Sequence, residues 1–95
     1  MKINEIILKI MKNTVLLDGK SYSQTTLAEK MTEKSAKKVT LAAVNDRLKT
    51  ENMGISKAIE MLDVMDYEIV VRPKKSTDDR EIYIVEPGYD RKRVD

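Results

Sequence analysis

The stretch SQTTLAEKMTEKSAKKVTLAAVNDRL, residues 23–48, determines how the rest of the chain is interpreted. Ser23 and Thr40 are residue types that cap helix N-termini, and each precedes apolar residues spaced three or four positions apart. This pattern predicts two short amphipathic helices, over 24–31 and 41–49, that pack on one core. The residues expected to face inward are Leu27, Ala28 and Met31 in the first helix, and Leu41, Val44 and Leu48 in the second.

The segment between these helices, residues 32–39 (TEKSAKKV), is polar and rich in lysine, and it contains neither glycine nor proline. Two helices that cross in a compact unit are usually joined by about three or four residues, often including glycine. Two interpretations of the segment remain open. Either the first helix continues for a further turn or two, or the residues form a longer loop.

Apolar residues before this stretch, from 3 to 17, also follow a helical period. They predict an amphipathic helix whose inward stripe ends with Leu17. Asp18-Gly19 would terminate it, because glycine is common just after a helix C-terminus. We interpret this first helix as part of the core.

Two kinds of sequence pattern follow the central stretch, one typical of a helix and one typical of strands. After a turn at 51–54 (ENMG), apolar spacing over 56–65 predicts a further helix. Residues 67–72 and 81–85 are rich in β-branched and aromatic types, and they predict two strands joined by an exposed loop over 74–80. The sequence therefore predicts an α+β fold, in which four or five helices are followed by a C-terminal two-stranded antiparallel β-hairpin.

A length of 95 residues corresponds to one domain. We divide residues 1–95 into a helical part (1–66), the hairpin (67–86) and a flexible basic tail (87–95). The basic residues of the tail are Arg91, Lys92 and Arg93. They could reach along DNA as an arm, or they could belong to a terminus without a binding role.

The chain has no cysteine and no histidine. Thiolate metal sites and disulfides are therefore excluded, and the commonest general base and zinc ligand are missing. We expect neither an enzyme nor a cofactor. Charged residues interrupt the apolar N-terminal segment, which is unlike a signal peptide or a membrane span, so we expect a cytoplasmic protein.

The distribution of charge is more informative than the net charge of +2. Residues 20–57 contain eight Lys and Arg against four Asp and Glu, a net charge of +4, so the remainder of the chain has −2. A basic middle suits a face that binds a polyanion such as nucleic acid. Ordinary surface charge explains the same distribution equally well.

Gln24, followed by Leu27-Ala28, begins one predicted helix, and the run AVNDRL, residues 43–48, belongs to the next. The first motif resembles the opening of the helix-turn-helix in phage Cro and CI repressors and in the larger XRE-type family. The second resembles the recognition helix of that family. The resemblance covers roughly residues 3–73, and the span between residues 31 and 44 is longer than in the family.

The resemblance implies a sequence-specific DNA-binding transcriptional regulator, a repressor of phage or mobile-element type that occludes its operator. The helix over 41–49 would enter the major groove, where Asn can bind adenine, Thr several bases, and Ala a thymine methyl group. Base contacts are expected from Thr40, Ala42, Ala43, Asn45 and Asp46. Contacts with the DNA backbone are expected from Gln24, Lys34, Lys37, Lys38, Arg47, Lys49 and Asn52.

The predicted hairpin suggests how such a regulator would dimerise. Related Cro-type proteins pair a C-terminal strand across a twofold axis, and a homodimer would read two half-sites. Ile69 and Val71 are expected to cover the helices, which leaves Val70, Tyr83 and Val85 for a dimer interface. Alternatively, the hairpin folds wholly onto its own helices.

A second class of function uses the same scaffold. The chain could be a protein-binding module, such as an antitoxin, an antirepressor or a phage inhibitor. It would then present the hairpin or the lysine-rich segment to a protein instead of DNA.

Overall fold

The computed structural model describes residues 1–35, 37–75 and 80–88. Within them, four helices precede one antiparallel pair of strands, which confirms the predicted α+β fold class. The elements are α1 Ile3–Asn13, α2 Gln24–Lys34, α3 Leu41–Leu48, α4 Ile55–Asp63, β1 Ile69–Val71 and β2 Tyr83–Val85. The predicted tail lies outside the described residues from position 89 onward.

Helix α1 is shorter than the sequence predicted. It ends at Asn13, and Val15 then forms an isolated antiparallel bridge with Ser21. The connecting turn contains Gly19 at φ 83°, a left-handed conformation that favours glycine. Leu17 was expected at the end of the buried stripe, but it lies in this turn and is fully exposed. Local turn formation therefore overrides the continued apolar period.

Helix α2 resolves the question left open for the segment 32–39. The helix continues past Met31 to Lys34, and Ser35 ends it in an extended conformation. A six-residue link, 35–40, then leads to α3. Both interpretations were correct in part, because Thr32, Glu33 and Lys34 complete the helix while the rest of the segment forms the link.

One hydrophobic core joins all four helices. In α2 the three predicted inward residues are buried, and in α3 Val44 and Leu48 are buried as well. The prediction was wrong for Leu41, which is 49% exposed because the first residue of α3 lies at the rim of the α2–α3 cleft. In α4, the first residue, Ile55, is also exposed, whereas Met61 is fully buried.

A tight cap ends α4 and directs the chain into β1. Asp66 adopts a left-handed φ of 65°, and its N–H donates to the carbonyl of Asp63 at 3.0 Å. The next N–H, of Tyr67, donates to the carbonyl of Leu62 at 2.9 Å. These two bonds are those of a Schellman motif, in which glycine is the usual left-handed residue.

The hairpin is shorter than predicted, with three residues in each strand. The Cα partners are Ile69 with Val85, Val70 with Ile84, and Val71 with Tyr83. Ile69 packs against the core as expected, but Val71 is exposed instead of covering the helices. Ile69 therefore joins the base of the hairpin to the helical core, while Val71 does not cover the helices. Part of the predicted loop, residues 76–79, lies outside the described residues.

Candidate nucleic-acid interface

Side-chain caps define where α2 and α3 begin. The Thr26 N–H donates to Ser23 Oγ at 3.2 Å, and the Ala43 N–H donates to Thr40 Oγ1 at 3.1 Å. Both caps were expected from the sequence, and each satisfies a backbone donor that the helix itself leaves unpaired. The Thr40 hydroxyl accepts in this bond, so its own proton remains able to donate to a ligand.

Thr32 holds the link to α2, and the sequence did not identify this role. Its Oγ1 accepts from the Val39 N–H at 2.9 Å, while the hydroxyl lies 2.8 Å from the Ala28 carbonyl and 3.1 Å from the Val39 carbonyl. The bond to Val39 fixes the residue just before the Thr40 cap. A link without glycine can therefore still place the start of α3 in a defined position against α2.

Asn4 holds the opposite end of α3. Its Nδ2 donates to the Leu48 carbonyl at 3.1 Å, and the side chain is buried. This bond satisfies one of the carbonyls that are left unpaired at a helix C-terminus. The sequence pattern predicted α1 only as part of the apolar core, so this polar contribution was not expected.

The outward face of α3 contains the residues predicted to contact bases. Thr40, Ala42 and Asp46 are exposed, and Ala43 and Asn45 are partly buried. The Asn45 amide has no hydrogen-bond partner within residues 1–35, 37–75 and 80–88. The structure therefore brings the five residues together on one short helix and its cap.

Basic residues lie at both ends of this helix. Lys37 and Lys38 are exposed in the link before it, and Lys49 is exposed just after it. Arg47 borders a recess at the start of α4 together with Asn52 and with Lys57, and Lys57 was not among the residues predicted from the sequence. Within the described part of the chain, Arg47 Nη1 is buried without a hydrogen-bond partner.

Lys34 is placed differently from the other predicted backbone contacts. Its Nζ lies 3.1 Å from Asp63 Oδ2, which is an ion pair between α2 and α4. Asp66 and Glu68 border the same depression. An ion pair at this exposed position contributes little to stability, about 0–1 kcal/mol. Acidic side chains nevertheless surround Lys34, which distinguishes it from the lysines next to α3.

Two glutamates limit where a polyanion can approach. Glu29 and Glu33 line the outer side of the α2–α3 cleft, facing Lys38 and Leu41. Their charge disfavours phosphates along the length of α2. Gln24, at the first turn of α2, is partly buried and lies away from this acidic row by at least one helical turn. A polyanion would therefore approach most favourably at the ends of α3 and at the N-terminus of α2.

Tyr22 is a structural residue beneath the N-terminus of α2. Burial raises the pKa of its phenol to about 12, and the negative charges of Asp66 and Glu33 act in the same direction. The hydroxyl is buried, and it has no hydrogen-bond partner among the residues that the structure describes. The neutral phenol therefore belongs to the core of the native protein.

The three residues predicted for dimerisation do not form one surface. Paired residues lie on the same face of a sheet and successive residues alternate, so Tyr83 and Val85 share one face with Ile69. Val70 lies on the opposite face, opposite Ile84. Val85 is also partly buried, which leaves less of it for a partner. Val70, Tyr83 and Val85 are therefore divided between the two faces of the hairpin, and their role in dimerisation stays a prediction.

Comparison of the chain with protein-family models, curated proteins and solved structures returned no significant match. Among the described helices, none has the length and apolar character needed to cross a membrane.

Proposed function

We propose that the protein is a sequence-specific DNA-binding transcriptional regulator that inserts α3 into the major groove. The observation that supports this most directly is the division of α3 into two faces. Val44 and Leu48 are buried, while Thr40 and Ala42 are exposed, and Asn45 is partly buried with an amide that has no hydrogen-bond partner among the described residues.

The outer groups of α3 match the chemistry of base recognition. The amide of Asn45 can donate and accept towards adenine, and the free proton of Thr40 can donate to an acceptor on a base. Ala42 and Ala43 are small enough for close approach and can contact a thymine methyl group. Asp46, on the same helix, can accept from a cytosine amino group.

Backbone contacts would come from both ends of the same helix. Lys37 and Lys38 serve one side, and Gln24 could bind a phosphate at the N-terminus of α2. At the C-terminal end of α3, the phosphates would be contacted by Arg47, Lys49, Asn52 and Lys57. We leave Lys34 out of this proposal because Asp63 already neutralises it.

The regulator acts as a cytoplasmic repressor of phage or mobile-element type, forms a homodimer that covers two half-sites and requires no cofactor. Occupation of the operator excludes the transcription machinery. A twofold dimer also doubles the phosphate contacts, which compensates for the small number of cations on each chain.

DNA binding is tested by selecting ligands from a random duplex library and measuring affinities by fluorescence anisotropy at two salt concentrations. Asn45→Ala should weaken the selected site by about 1–3 kcal/mol and relax its sequence preference. Lys38→Ala should weaken all sequences alike and reduce the salt dependence by about one ion. Lys9→Ala, an exposed lysine on α1, is the matched control and should change neither property.

Absence of binding to any duplex at low salt would refute the proposal. The hairpin supports the second candidate, a protein-binding module, because both of its faces expose apolar residues. In that case a Val71→Asp substitution should abolish capture of a protein partner, whereas Asn45→Ala should leave it intact.

A further inference from the structure

The α2–α3 cleft is a recess in which a partly exposed apolar side chain lies beside charged ones. It has a volume of about 510 Å³, and it is lined by α2 on one side and by the link and the start of α3 on the other. Ala28 and Val39 form the more buried part of its lining, and Leu41 remains 49% exposed. The chain therefore leaves apolar surface accessible to a ligand in a recess of ordinary ligand-pocket size.

The wall formed by α2 carries negative charge. Thr25, Glu29 and Glu33 follow one another at intervals of four residues, so they form one row along the helix. Both glutamates are exposed, and neither has a hydrogen-bond or ion-pair partner within residues 1–35, 37–75 and 80–88. Lys20 and Lys30 border the depression on the other side of this row without pairing with either carboxylate. The row can therefore accept two positive charges from a ligand.

The opposite wall limits how those positive charges can be arranged. Lys38 is exposed there and has no ion-pair partner among the residues that the structure describes. A uniformly basic ligand would be repelled by this lysine, and a nucleic-acid phosphate would be repelled by Glu29 and Glu33. The favoured ligand therefore has apolar groups for the cleft and basic groups only on the side that faces α2.

An amphipathic α-helix meets these conditions. Side chains four positions apart on a helix are separated by about 6 Å along its axis, which equals the spacing of Glu29 and Glu33 when the helix lies along α2. We propose that the α2–α3 cleft binds a basic amphipathic helix of another protein, with an apolar side chain against Leu41 and two basic residues opposite the two glutamates. In this mode of recognition, apolar side chains anchor the helix in a groove and charges at the edge select it.

Occupation of the cleft would regulate DNA binding, and this part of the inference rests on the proposed function. Lys38 and Thr40 line the cleft, and both are also proposed to contact DNA. A helix seated beside them would cover both side chains, so the same copy of α3 could not enter the major groove. The partner would therefore release the regulator from its operator.

Binding to the cleft is measured without DNA. The probe is a fluorescein-labelled, alanine-based peptide of about 20 residues, which is long enough to form a helix in isolation. Leucines three and four residues apart form its apolar face, and lysines four residues apart flank that face on one side. Fluorescence anisotropy with the full chain should give a dissociation constant below about 100 μM. A second peptide, with glutamate at each lysine position, should bind at least about tenfold more weakly.

Charge reversal tests whether the row on α2 selects the ligand. Glu29→Lys/Glu33→Lys should weaken the lysine peptide by about tenfold or more, and it should bind the glutamate peptide instead, because the reversed wall pairs with the reversed ligand. Glu5→Lys/Glu51→Lys reverses two exposed carboxylates that do not line the cleft. This matched control should leave both affinities unchanged.

The apolar anchor is tested separately. Leu41→Ser should weaken the lysine peptide by about tenfold, whereas Leu8→Ser, at a similarly exposed position on α1, should not. Circular dichroism verifies that each variant is folded. The inference fails if the lysine peptide does not bind at high micromolar concentration, if the glutamate peptide binds the wild type equally well, or if charge reversal does not exchange the preference. It also fails if Leu41→Ser alone converts an oligomer into a monomer in sedimentation experiments, because the occupant would then be a second copy.

A competition experiment tests the regulatory role. The lysine peptide should displace the selected duplex from the wild type but not from Leu41→Ser, which controls for binding of the peptide to DNA. Simultaneous binding of peptide and duplex to the wild type would overturn this role. If the charge exchange succeeds and no duplex binds at low salt, the helix-binding cleft stands and the proposed function alone fails. If the duplex binds and the peptide does not, only the inference fails.

Discussion

The α2–α3 unit and the β-hairpin differ in how far their polar groups are hydrogen-bonded and their apolar groups buried. Side-chain hydrogen bonds within the chain hold the helical unit in place. They are the caps at Ser23 and Thr40, the bond between Thr32 and Val39, and the bond between Asn4 and Leu48. The hairpin exposes apolar residues on both faces and has free edges among the described residues. A single chain can therefore position α3, whereas the hairpin leaves apolar side chains exposed and strand edges unpaired within the described residues.

The two regions should differ most in how much stability is lost when one apolar side chain is truncated. Leu27 is completely buried, so Leu27→Ala should lower the free energy of unfolding by about 2–5 kcal/mol. Ile84→Ala, at an exposed hairpin position, should change it by less than about 1 kcal/mol. Urea denaturation of both variants provides the comparison, and equal losses would show that the hairpin is as firmly packed as the helices.

Thr32→Val tests whether the polar bond holds α3 in place. The substitution keeps the shape of the side chain but leaves the Val39 N–H without its acceptor, which should reduce stability by about 1–3 kcal/mol. DNA affinity should fall as well, because the start of α3 is no longer fixed. Thr25→Val on the exposed side of α2 is the control for the loss of a hydroxyl. Equal effects of both substitutions would remove the special role of Thr32.

Tyr22 makes the stability of the helical unit sensitive to high pH. Because the native pKa is raised to about 12 from an ordinary value near 10, the folded state retains a proton that the unfolded state loses. The free energy of unfolding should therefore fall by about 1 kcal/mol per pH unit between 10 and 12. Tyr22→Phe should show a shallower decrease over this interval in denaturation experiments. Parallel curves for the two proteins would contradict the prediction.

Asp66 joins the two regions, and its substitution has the smallest expected effect. Glycine adopts the left-handed conformation at this cap without a steric cost, so Asp66→Gly should stabilise the protein by about 0.5–1 kcal/mol. Asp66→Val should destabilise it, since β-branched residues disfavour this conformation. Thermal denaturation would detect both changes, and a loss of stability in the glycine variant would refute this account of the cap.

Much of the fold could be predicted from the sequence because local signals agreed with the tertiary structure. Ser23 and Thr40 cap the helices as expected, and the β-branched runs form an antiparallel hairpin. The wrong predictions came from extending the apolar spacing of a helix beyond its buried part. The stripe of α1 was continued to Leu17 across a turn, and Leu41 was assigned to the core although the first turn of α3 lies at the rim of a cleft.

The candidate site was predicted as a set of residue types, but its arrangement was not. The contributions of Thr32 and Asn4 depend on partners 7 and 44 residues away, and no local pattern identifies such pairs. The pairing of Lys34 with Asp63 likewise depends on how α2 and α4 pack. Lys57 became a candidate only because the start of α4 lies beside Arg47.

Local sequence patterns were sufficient to predict the order of helices and strands, the residues that cap α2 and α3, and most of the apolar faces. These properties follow from backbone preferences and from periods of three to four or two residues, which act locally. The local patterns could not predict which cations lie beside α3, which threonine holds the link, or which hairpin residues share a face. Those outcomes depend on packing and register between distant segments.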